Sequence, residues 1–294
     1  MNSHSQPFIF GEVLFDCFPD GTRVLGGAPF NVAWHCHAFG LKPVFISRVG
    51  DDELGKEILT AMTKWGMDTQ GLQIDPEHKT GIVDVTFSDG EPSYNIVENS
   101  AWDFIDEESI PTIKSDSLLY HGSLALRNSV SENSLSKFKK HFSNSTFIDV
   151  NLRSPWWDLK NIKNILKEAH WVKLNQDELS LIVDHETDTV KQARHLLNQY
   201  RPELVVVTRG EAGAIAISES EACAVEPGKV INVIDTVGAG DAFASVLLLG
   251  LHKGWSLQDV LNRAQSFASE VVGLRGATTQ DKTFYQSFIN DWNL

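Results

Sequence analysis

The chain has 294 residues, of which 42% are hydrophobic and 22% charged, a composition typical of a globular protein with one large domain or two small ones. A formal net charge of -14 makes nucleic acid and anionic membranes poor partners, and no run rich in Lys and Arg offers a local exception. Three widely spaced cysteines exclude a disulfide framework and a zinc pattern, and they favour a reducing, cytoplasmic setting.

Neither the first residues nor the longest late apolar run has the pattern of a membrane or export signal. Residues 1–10 lack the basic stretch followed by an apolar run that marks a signal peptide. The apolar run at 242–251 is too short to cross a bilayer, which takes about 20 residues. The sequence therefore predicts no signal peptide and no membrane span.

Short apolar runs rich in β-branched residues alternate with segments of helical pattern along the whole chain. The predicted strands are 8–16, 44–49, 117–122, 146–151, 170–175, 204–208 and 214–218. The predicted helices are 28–40, 51–66, 131–143, 158–168, 187–200, 238–253, 256–273 and 280–291. This alternation predicts an α/β sandwich with a mostly parallel central sheet, in a single domain over residues 1–294. In such a sheet, ligands bind at the carboxyl ends of the strands.

Residues 80–98 depart from this alternation. Two strand-like runs flank a turn with an Asp-Gly pair and a nearby Pro, which predicts a hairpin inserted between α/β units. A small sheet beside a large α/β body would serve as a lid. A hairpin at the edge of the main sheet fits the pattern equally well.

Three segments imitate functional motifs. Residues 50–57 have the glycine and lysine spacing of a P-loop, but Glu57 stands where a Ser or Thr hydroxyl is needed, and the acidic residues 51–53 suit a helix N-terminus instead. Residues 238–243 begin like a dinucleotide fingerprint but end in Phe243. In His35-Cys36-His37 the side chains of a helix would point in different directions, so a packed helix face is favoured over a metal site.

The stretch 235–243 reads as the end of a strand, a glycine-rich turn and the start of a long apolar helix. Gly238, Ala239 and Gly240 would lie at the helix N-terminus, where unpaired N–H groups and the helix dipole favour an anion. Asp241 follows in the first helical turn, where its carboxylate can accept the proton of a hydroxyl that attacks phosphorus. The alternative is that Asp241 only caps the helix after a tight turn.

The stretches 235–243, 26–40 and 48–55 together resemble the two signature regions of the PfkB, or ribokinase-like, carbohydrate kinases, closest to the fructokinase-like members. The resemblance extends from about residue 11 to residue 278. It implies a three-layer α/β/α sandwich with a small β lid, whose strands lie within about 12–24 and 80–98, and the activity of an ATP-dependent sugar kinase.

The resemblance also implies roles for individual residues. Asp241 matches the catalytic base, and Gly238, Ala239 and Gly240 match the anion hole. Residues matching the sugar-binding positions are Asp16, Gly26, Gly27 and Asn31. Residues matching the ATP-binding elements are Asn175, Glu178, Thr208, Gly210 and Gly213.

The implied cofactors are ATP with Mg2+ and, in many members, a monovalent cation such as K+. Glu178 would act on magnesium through water, since magnesium keeps several waters. Asp235 and Thr236 match positions that support the monovalent cation. Two of the matches are compatible with plain local structure: a helix cap formed by Asn175 with Glu178, and a hairpin turn at 208–213.

The substrate prediction depends on two stretches. Residues 149–158 resemble a stretch shared by fructokinase-like and 2-keto-3-deoxygluconate kinase-like members, and Arg153 within it could approach the sugar, a carboxylate or an ATP phosphate. A surface ion pair is the plain alternative for Arg153. The sugar-acid kinases usually offer Tyr-x-Arg in the lid, whereas Tyr94 is followed by Asn95 and Ile96. Fructose is therefore the preferred substrate.

Other functions stay open at this point. The alternatives are a kinase of ribose, 2-keto-3-deoxygluconate or adenosine, and a non-catalytic sugar sensor on the kinase fold. The apolar alternation within 80–98 permits a homodimer through the lid but does not require one.

Overall fold

The computed structural model describes residues 6–88, 91–112, 117–142, 145–226 and 233–294. Within these ranges the strands are β1 (Pro7–Phe10), β2 (Leu14–Cys17), β3 (Arg23–Gly26), β4 (Val44–Gly50), β5 (Leu72–Asp75), β6 (Gly81–Ser88), β7 (Glu91–Ile96), β8 (Leu118–His121), β9 (Thr146–Asp149), β10 (Trp171–Asn175), β11 (Leu204–Thr208), β12 (Ala214–Ile217) and β13 (Ala222–Val225). The helices are α1 (Ala28–Ala38), α2 (Glu53–Trp65), α3 (Ser129–Phe138), α4 (Leu159–Leu166), α5 (Gln176–Ile182), α6 (Thr189–Tyr200), α7 (Ala239–Lys253), α8 (Leu257–Val271) and α9 (Lys282–Trp292).

The main sheet has nine strands in the order β13-β12-β11-β10-β9-β8-β1-β4-β5. All pairs from β11 to β5 are parallel, and β12 and β13 add an antiparallel edge. Strand β1 lies between β8 and β4, where Phe8 aligns with Leu119 on one side and with Val44 on the other. The predicted mostly parallel sheet is confirmed.

Both faces of this sheet are covered by helices, because successive strand residues point to opposite sides. Tyr120 and Phe147 pack on one side with α1, α2, α7, α8 and α9. Their neighbours Leu119 and Ile148 pack on the other side, among side chains of α3 to α6. Full burial of each such large apolar side chain contributes about 1.5–3 kcal/mol. The predicted three-layer α/β/α sandwich is confirmed.

The segment 8–16 is two strands, and the prediction of one continuous strand is wrong. The chain leaves the main sheet at Gly11, whose φ is +153°, and a Cβ there would overlap Pro29 at the start of α1. Strand β2 then enters a second sheet. Both strands are buried, so the apolar residues continue across the turn between them. The hydrophobic pattern therefore does not reveal where β1 ends and β2 begins.

The second sheet has four strands in the order β3-β2-β6-β7. Strand β2 pairs with β6 in parallel, and the other two pairs are antiparallel. The segment 80–98 therefore forms part of a separate sheet with β2 and β3, and not an edge hairpin of the main sheet. The Asp89-Gly90 turn predicted for this hairpin lies outside the described residues.

Two other local predictions can be compared with the structure. Asp52 caps α2 by accepting a hydrogen bond from Gly55 N at 2.9 Å, so residues 50–57 are a helix start, as expected from their acidic residues. Strand β3 only overlaps the end of the range 12–24 predicted for lid strands. Strands β5 and β13 and the short helix α5 were not predicted, because they lack both the continuous β-branched runs of the predicted strands and more than two turns of helical pattern. None of the described helices combines the length and apolar character that a bilayer crossing requires.

A buried ion pair between Arg127 and Asp103 connects the main body to the segment that follows the second sheet. Arg127 donates from Nε and Nη2 to the Asp103 carboxylate, both at 2.7 Å, and from Nη2 to Val97 O at 2.6 Å. Its guanidinium lies 4.1 Å from the ring centre of Trp102 and 4.6 Å from that of Trp156. The Arg127 and Asp103 side chains are only 5% and 2% exposed. The chain following β7 is thereby held in place.

Substituting Arg127→Ala is expected to lower the free energy of unfolding by about 3–5 kcal/mol, because the Asp103 carboxylate would stay buried without its cation. Urea denaturation followed by circular dichroism measures the change. Lys137→Ala, which removes an exposed pair with Glu107, is the matched control and should leave the transition in place. Equal transitions for the two variants would contradict a stabilising role of the buried pair.

Candidate active site

A cleft of about 560 Å³ lies between the carboxyl ends of the main-sheet strands and the second sheet. Most of the predicted site residues line it: Asp16, Gly26, Gly27, Asn31, Arg153, Asn175, Glu178, Thr208, Thr236, Gly238, Gly240 and Asp241. Four predicted residues are not among its lining residues: Gly210, Gly213, Asp235 and Ala239. The polar lining residues that the sequence analysis did not select as site residues are Glu12, Tyr94, Asp149, Asn151 and Lys173.

The glycine-rich turn places the N-terminus of α7 at the cleft. Gly238 caps the helix with a φ of +83°, and a Cβ at this position would overlap Ala277. Only glycine fits this position without displacing the chain near residue 277. The first-turn N–H groups of a helix have no acceptor four residues back, and the helix dipole adds positive potential. This local geometry is of the kind that suits an anion.

Asp241 lies in the first turn of α7 and faces α1 across the cleft. Asn31 Nδ2 donates to Asp241 Oδ2 at 2.8 Å, which orients the carboxylate. Desolvation raises the pKa of Asp241 to about 6, and the Asn31 hydrogen bond and the Lys173 charge limit the rise. The group is thus ionised at neutral pH but basic enough to accept a proton.

Lys173 and Asp149 form a buried ion pair beneath this turn. Lys173 Nζ lies 3.0 and 2.8 Å from the two Asp149 oxygens, and Tyr120 donates its hydroxyl to the same carboxylate at 3.1 Å. Burial lowers the pKa of Lys173, but the charge and hydrogen bond of Asp149, together with the Glu178 and Asp241 charges, outweigh it and hold the pKa above the usual value. A Cβ on Gly240 would lie 3.3 Å from Nζ, so a fixed ammonium group adjoins the glycine-rich turn.

Glu178 and Asn175 form a capping box at the start of α5. Asn175 N donates to Glu178 Oε2 and Glu178 N donates to Asn175 Oδ1, both at 2.8 Å. Leu152 N donates to Glu178 Oε1 at 2.7 Å. Burial raises the pKa of Glu178. The helix-cap interpretation of this pair is correct, and both residues also line the cleft.

The end of the cleft beneath the second sheet is acidic. Asp16 lines it from β2 and Glu12 from the segment before β2, and burial raises their pKa values to about 6 and about 7. The Arg153 charge opposes both shifts and also acts on Asp241. Arg153 is therefore the cation shared by three carboxyl groups, although its side chain is exposed.

Thr208 lies at the cleft, whereas the two glycines that follow it do not line the cleft. Thr208 ends β11 and lines the cleft, whereas Gly210 and Gly213 bound the turn between the antiparallel strands β11 and β12. Arg209 N donates to Gly213 O at 2.7 Å and closes this turn. The hairpin interpretation of 208–213 is correct.

Asp235 connects two loops next to the cleft. Its Oδ1 accepts from Val237 N at 2.9 Å and its Oδ2 from Gly276 N at 3.3 Å. Thr236 beside it lines the cleft. No cluster of three or more His, Cys, Asp or Glu side chains suited to a metal ion occurs in the described part of the chain.

The predicted packed-helix face at residues 35–37 agrees with the contacts of the three side chains. His35 contacts Tyr285 Oη and Ala277 O, both at 3.0 Å, while the Cys36 thiol donates to Ser245 O at 3.7 Å. His37 Nε2 lies 3.2 Å from Trp65 O on another side of α1. Because the side chains point apart, they do not form a metal site.

Comparison with known proteins gives the same family as the motifs. The family model described as pfkB family carbohydrate kinase matches residues 17–283. A fructokinase of Vibrio alginolyticus is 32% identical over 94% of this chain and 94% of its own length. A protein named probable fructokinase-5 from Arabidopsis thaliana is 31% identical over 88% of each chain.

Solved structures share the fold over nearly the whole chain. A fructokinase double mutant from Vibrio cholerae O395, with fructose, ADP and potassium bound, superposes with a TM-score of 0.82 at 25% identity and covers 97% of this chain and 99% of its own. The ATP-bound fructokinase of Xylella fastidiosa gives a TM-score of 0.86 at 21% identity, covers 98% of this chain and 99% of its own, and supports the fold alone. The family match over most of the length, with these relatives, shows that this chain belongs to the pfkB family of carbohydrate kinases and is a sugar kinase with the ribokinase-like fold.

Proposed function

We propose that this enzyme transfers the γ-phosphoryl group of ATP to a hydroxyl of a neutral sugar, with fructose as the preferred substrate. The observation that carries the proposal is the position of Asp241, which Asn31 orients at 2.8 Å beside the N-terminus of α7. The names of the relatives support fructose, since those reported above are fructokinases.

In the proposed mechanism, Asp241 accepts the proton of the sugar hydroxyl as its oxygen attacks the γ-phosphorus. The new O–P bond forms while the bond from phosphorus to the β,γ-bridging oxygen breaks, and ADP leaves. The N–H groups around Gly238 and Gly240 hold the transferring group, with the Lys173 ammonium nearby. Asp16, Gly26, Gly27 and Asn31 bind the sugar, and the second sheet acts as a lid that excludes water.

The charge of the cleft favours a neutral sugar over a sugar acid. Its acidic lining residues are Glu12, Asp16, Asp149, Glu178 and Asp241, against the basic Arg153 and Lys173. Lys173 is already paired with Asp149. A substrate carboxylate would therefore meet net negative charge at the sugar end. Tyr94 lines the cleft without an Arg two residues later, which also disfavours a sugar acid.

The acidic lining also implies that the anionic phosphates bind together with cations. We assign Mg2+ to the phosphates, with Glu178 contacting it through water, because the carboxylate oxygens that hold Asn175 N and Leu152 N keep further acceptor positions. Magnesium supplies charge neutralisation during transfer. We assign K+ to the loops that Asp235 connects, with Thr236 beside them, and ATP to Asn175, Thr208, Gly210 and Gly213.

The lid sheet provides a surface for a second copy of the chain. Phe87 and Tyr94 are 56% and 55% exposed on this sheet, which is high for large aromatic side chains. We propose a homodimer formed through this face, in a cytoplasmic enzyme. Light scattering on the purified protein should give twice the chain mass, and Phe87→Ser should reduce it to the mass of one chain. A monomeric wild type would contradict the dimer.

The test of the function is ADP release from Mg-ATP with fructose, ribose, tagatose, glucose, 2-keto-3-deoxygluconate and adenosine, each with and without K+. We expect the highest kcat/KM for fructose and stimulation by K+. A preference for the sugar acid or adenosine would overturn the substrate assignment. ATP binding without any product would instead support a non-catalytic sensor.

The pH dependence of kcat, which is measured with the sugar already bound at Asp16, should show an acid limb with a midpoint near the pKa of Asp241, about 6. Below that pH the carboxyl is protonated and cannot accept a proton, so activity falls; above it the base is available and activity levels off. Rates from about pH 5 to about pH 9 at constant ionic strength measure the limb. The residual activity of an Asp241→Asn variant should lack it, and a wild-type profile flat down to about pH 5 would contradict Asp241 as the base.

A further inference from the structure

Glu12 is a buried acidic residue of the cleft that the mechanism above does not use. It lies between β1 and β2, its side chain is only 2% exposed, and it lines the cleft with Asn31 and Asp241. Its Oε2 has no hydrogen-bond partner among the described residues, and the same holds for Asn31 Oδ1. Two buried acceptor atoms of the cleft are thus without a hydrogen-bond partner among the described residues.

Buried polar atoms of native proteins are nearly always hydrogen-bonded, since an unpaired one loses its water and gains nothing in return. An unpaired acceptor that lines a cleft is explained when a ligand supplies the missing donor. Asn31 already uses Nδ2 to hold Asp241, which fixes its amide so that Oδ1 stays an acceptor. A ligand bound beside Asp241 can therefore supply both missing donors.

The nearby arginines do not fill this role in the structure. The Arg153 and Arg127 charges both act on Glu12. However, Arg127 donates to Asp103 and Val97 O, while Arg153 Nη1 donates to Leu152 O at 3.2 Å. The two arginine charges lower the pKa of Glu12 and so oppose the effect of burial, but neither side chain donates a hydrogen bond to Oε2.

We propose that Glu12 is a specificity-determining residue that binds a hydroxyl group of the acceptor sugar through Oε2, next to the hydroxyl that Asp241 deprotonates. This assignment rests on the proposed function and extends it. With Asn31 Oδ1 as a second acceptor, the site requires two donor groups close to the reacting one. A polyol supplies them, whereas a ligand with an apolar group at that place leaves Glu12 unpaired and is rejected.

The test combines Glu12→Gln, which keeps the shape of the side chain, with monodeoxy analogues of the sugar that the wild type binds best. Affinities measured by calorimetry do not depend on turnover. At about pH 8, above the Glu12 pKa of about 7, we expect Glu12→Gln to weaken binding of the parent sugar roughly 10–100-fold, as for loss of a hydrogen bond to a charged group. One deoxy analogue should weaken wild-type binding by a similar factor and lose nothing more in the variant.

The matched control is Glu53→Gln, on α2, whose side chain is 91% exposed and lies outside the cleft. It should bind the parent sugar and every analogue as the wild type does. ATP affinity and the urea transition of Glu12→Gln should stay near the wild-type values, which separates sugar binding from a folding defect.

The outcomes separate this assignment from the proposed function. Equal losses for the parent sugar and all analogues in Glu12→Gln would overturn the role of Glu12 and leave the kinase assignment standing. Best binding of a sugar other than fructose, with the coupling to one hydroxyl intact, would overturn fructose and support Glu12. Failure of the wild type to bind any of the sugars would overturn both.

Discussion

Asp241→Asn is expected to fold, to bind ATP and to lose about 10²–10⁴-fold in kcat. The amide cannot accept the proton of the attacking hydroxyl, but it can present its oxygen to Asn31 Nδ2 and keep that hydrogen bond. Desolvation raises the pKa of Asp241, which means that the ionised carboxylate is unfavourable in the folded protein. Its stabilising contribution is full at low pH and is lost as the pH rises through about 6. Removing the charge should therefore cost no stability at neutral pH.

Steady-state rates, ATP affinity and thermal unfolding of the variant test this expectation together. Asp177→Asn is the matched control, because Asp177 also lies in the first turn of a helix but is exposed and is not among the residues that line the cleft. It should leave kcat unchanged. A kcat near the wild-type value in Asp241→Asn would remove Asp241 from the role of base. A large loss of stability would show that its carboxylate holds the helix start.

The glycine-rich turn and Asp241 could be predicted because they are consecutive in the sequence. The glycines before Asp241 predict a helix N-terminus next to a carboxylate, and the structure places Gly238 as the N-cap of α7. The apolar runs predicted a buried parallel sheet because strands covered on both faces need apolar residues at every position. Residues 208–213 show the limit of such local prediction. Their sequence predicted the hairpin turn correctly, but Gly210 and Gly213 are not among the residues that line the cleft.

The non-local part could not be predicted from one sequence. Lys173 meets Asp149 because β9 and β10 are parallel neighbours in which these two residues are register partners. Nothing in the spacing of 24 positions between them indicates that register. Glu12 likewise looks like an ordinary acidic residue in an apolar run. Its burial follows from the turn at Gly11, where the chain passes from one sheet into the other.

Lys173→Met is expected to lower the free energy of unfolding by about 3–5 kcal/mol, because it leaves the buried Asp149 carboxylate with Tyr120 as its remaining side-chain partner among those described. Methionine has a similar length, so the loss reports the charge more than the packing. The double variant Lys173→Met with Asp149→Asn removes both charges and retains an acceptor for Tyr120. It should recover most of the stability, and urea denaturation of the three proteins measures both effects.

Activity separates the electrostatic role of Lys173 from its structural one. The Lys173 charge lowers the pKa of Asp241, so its removal raises that pKa and shifts the acid limb of kcat to higher pH. In the wild type, the Asp149 charge raises the pKa of Asp241. The double variant lacks this charge as well, so its acid limb should return toward the wild-type position. The fixed ammonium group near Gly240 is absent from both variants, so kcat should stay low in each even where stability recovers. Recovery of kcat together with stability would instead mean that the pair only holds β9 and β10 in place.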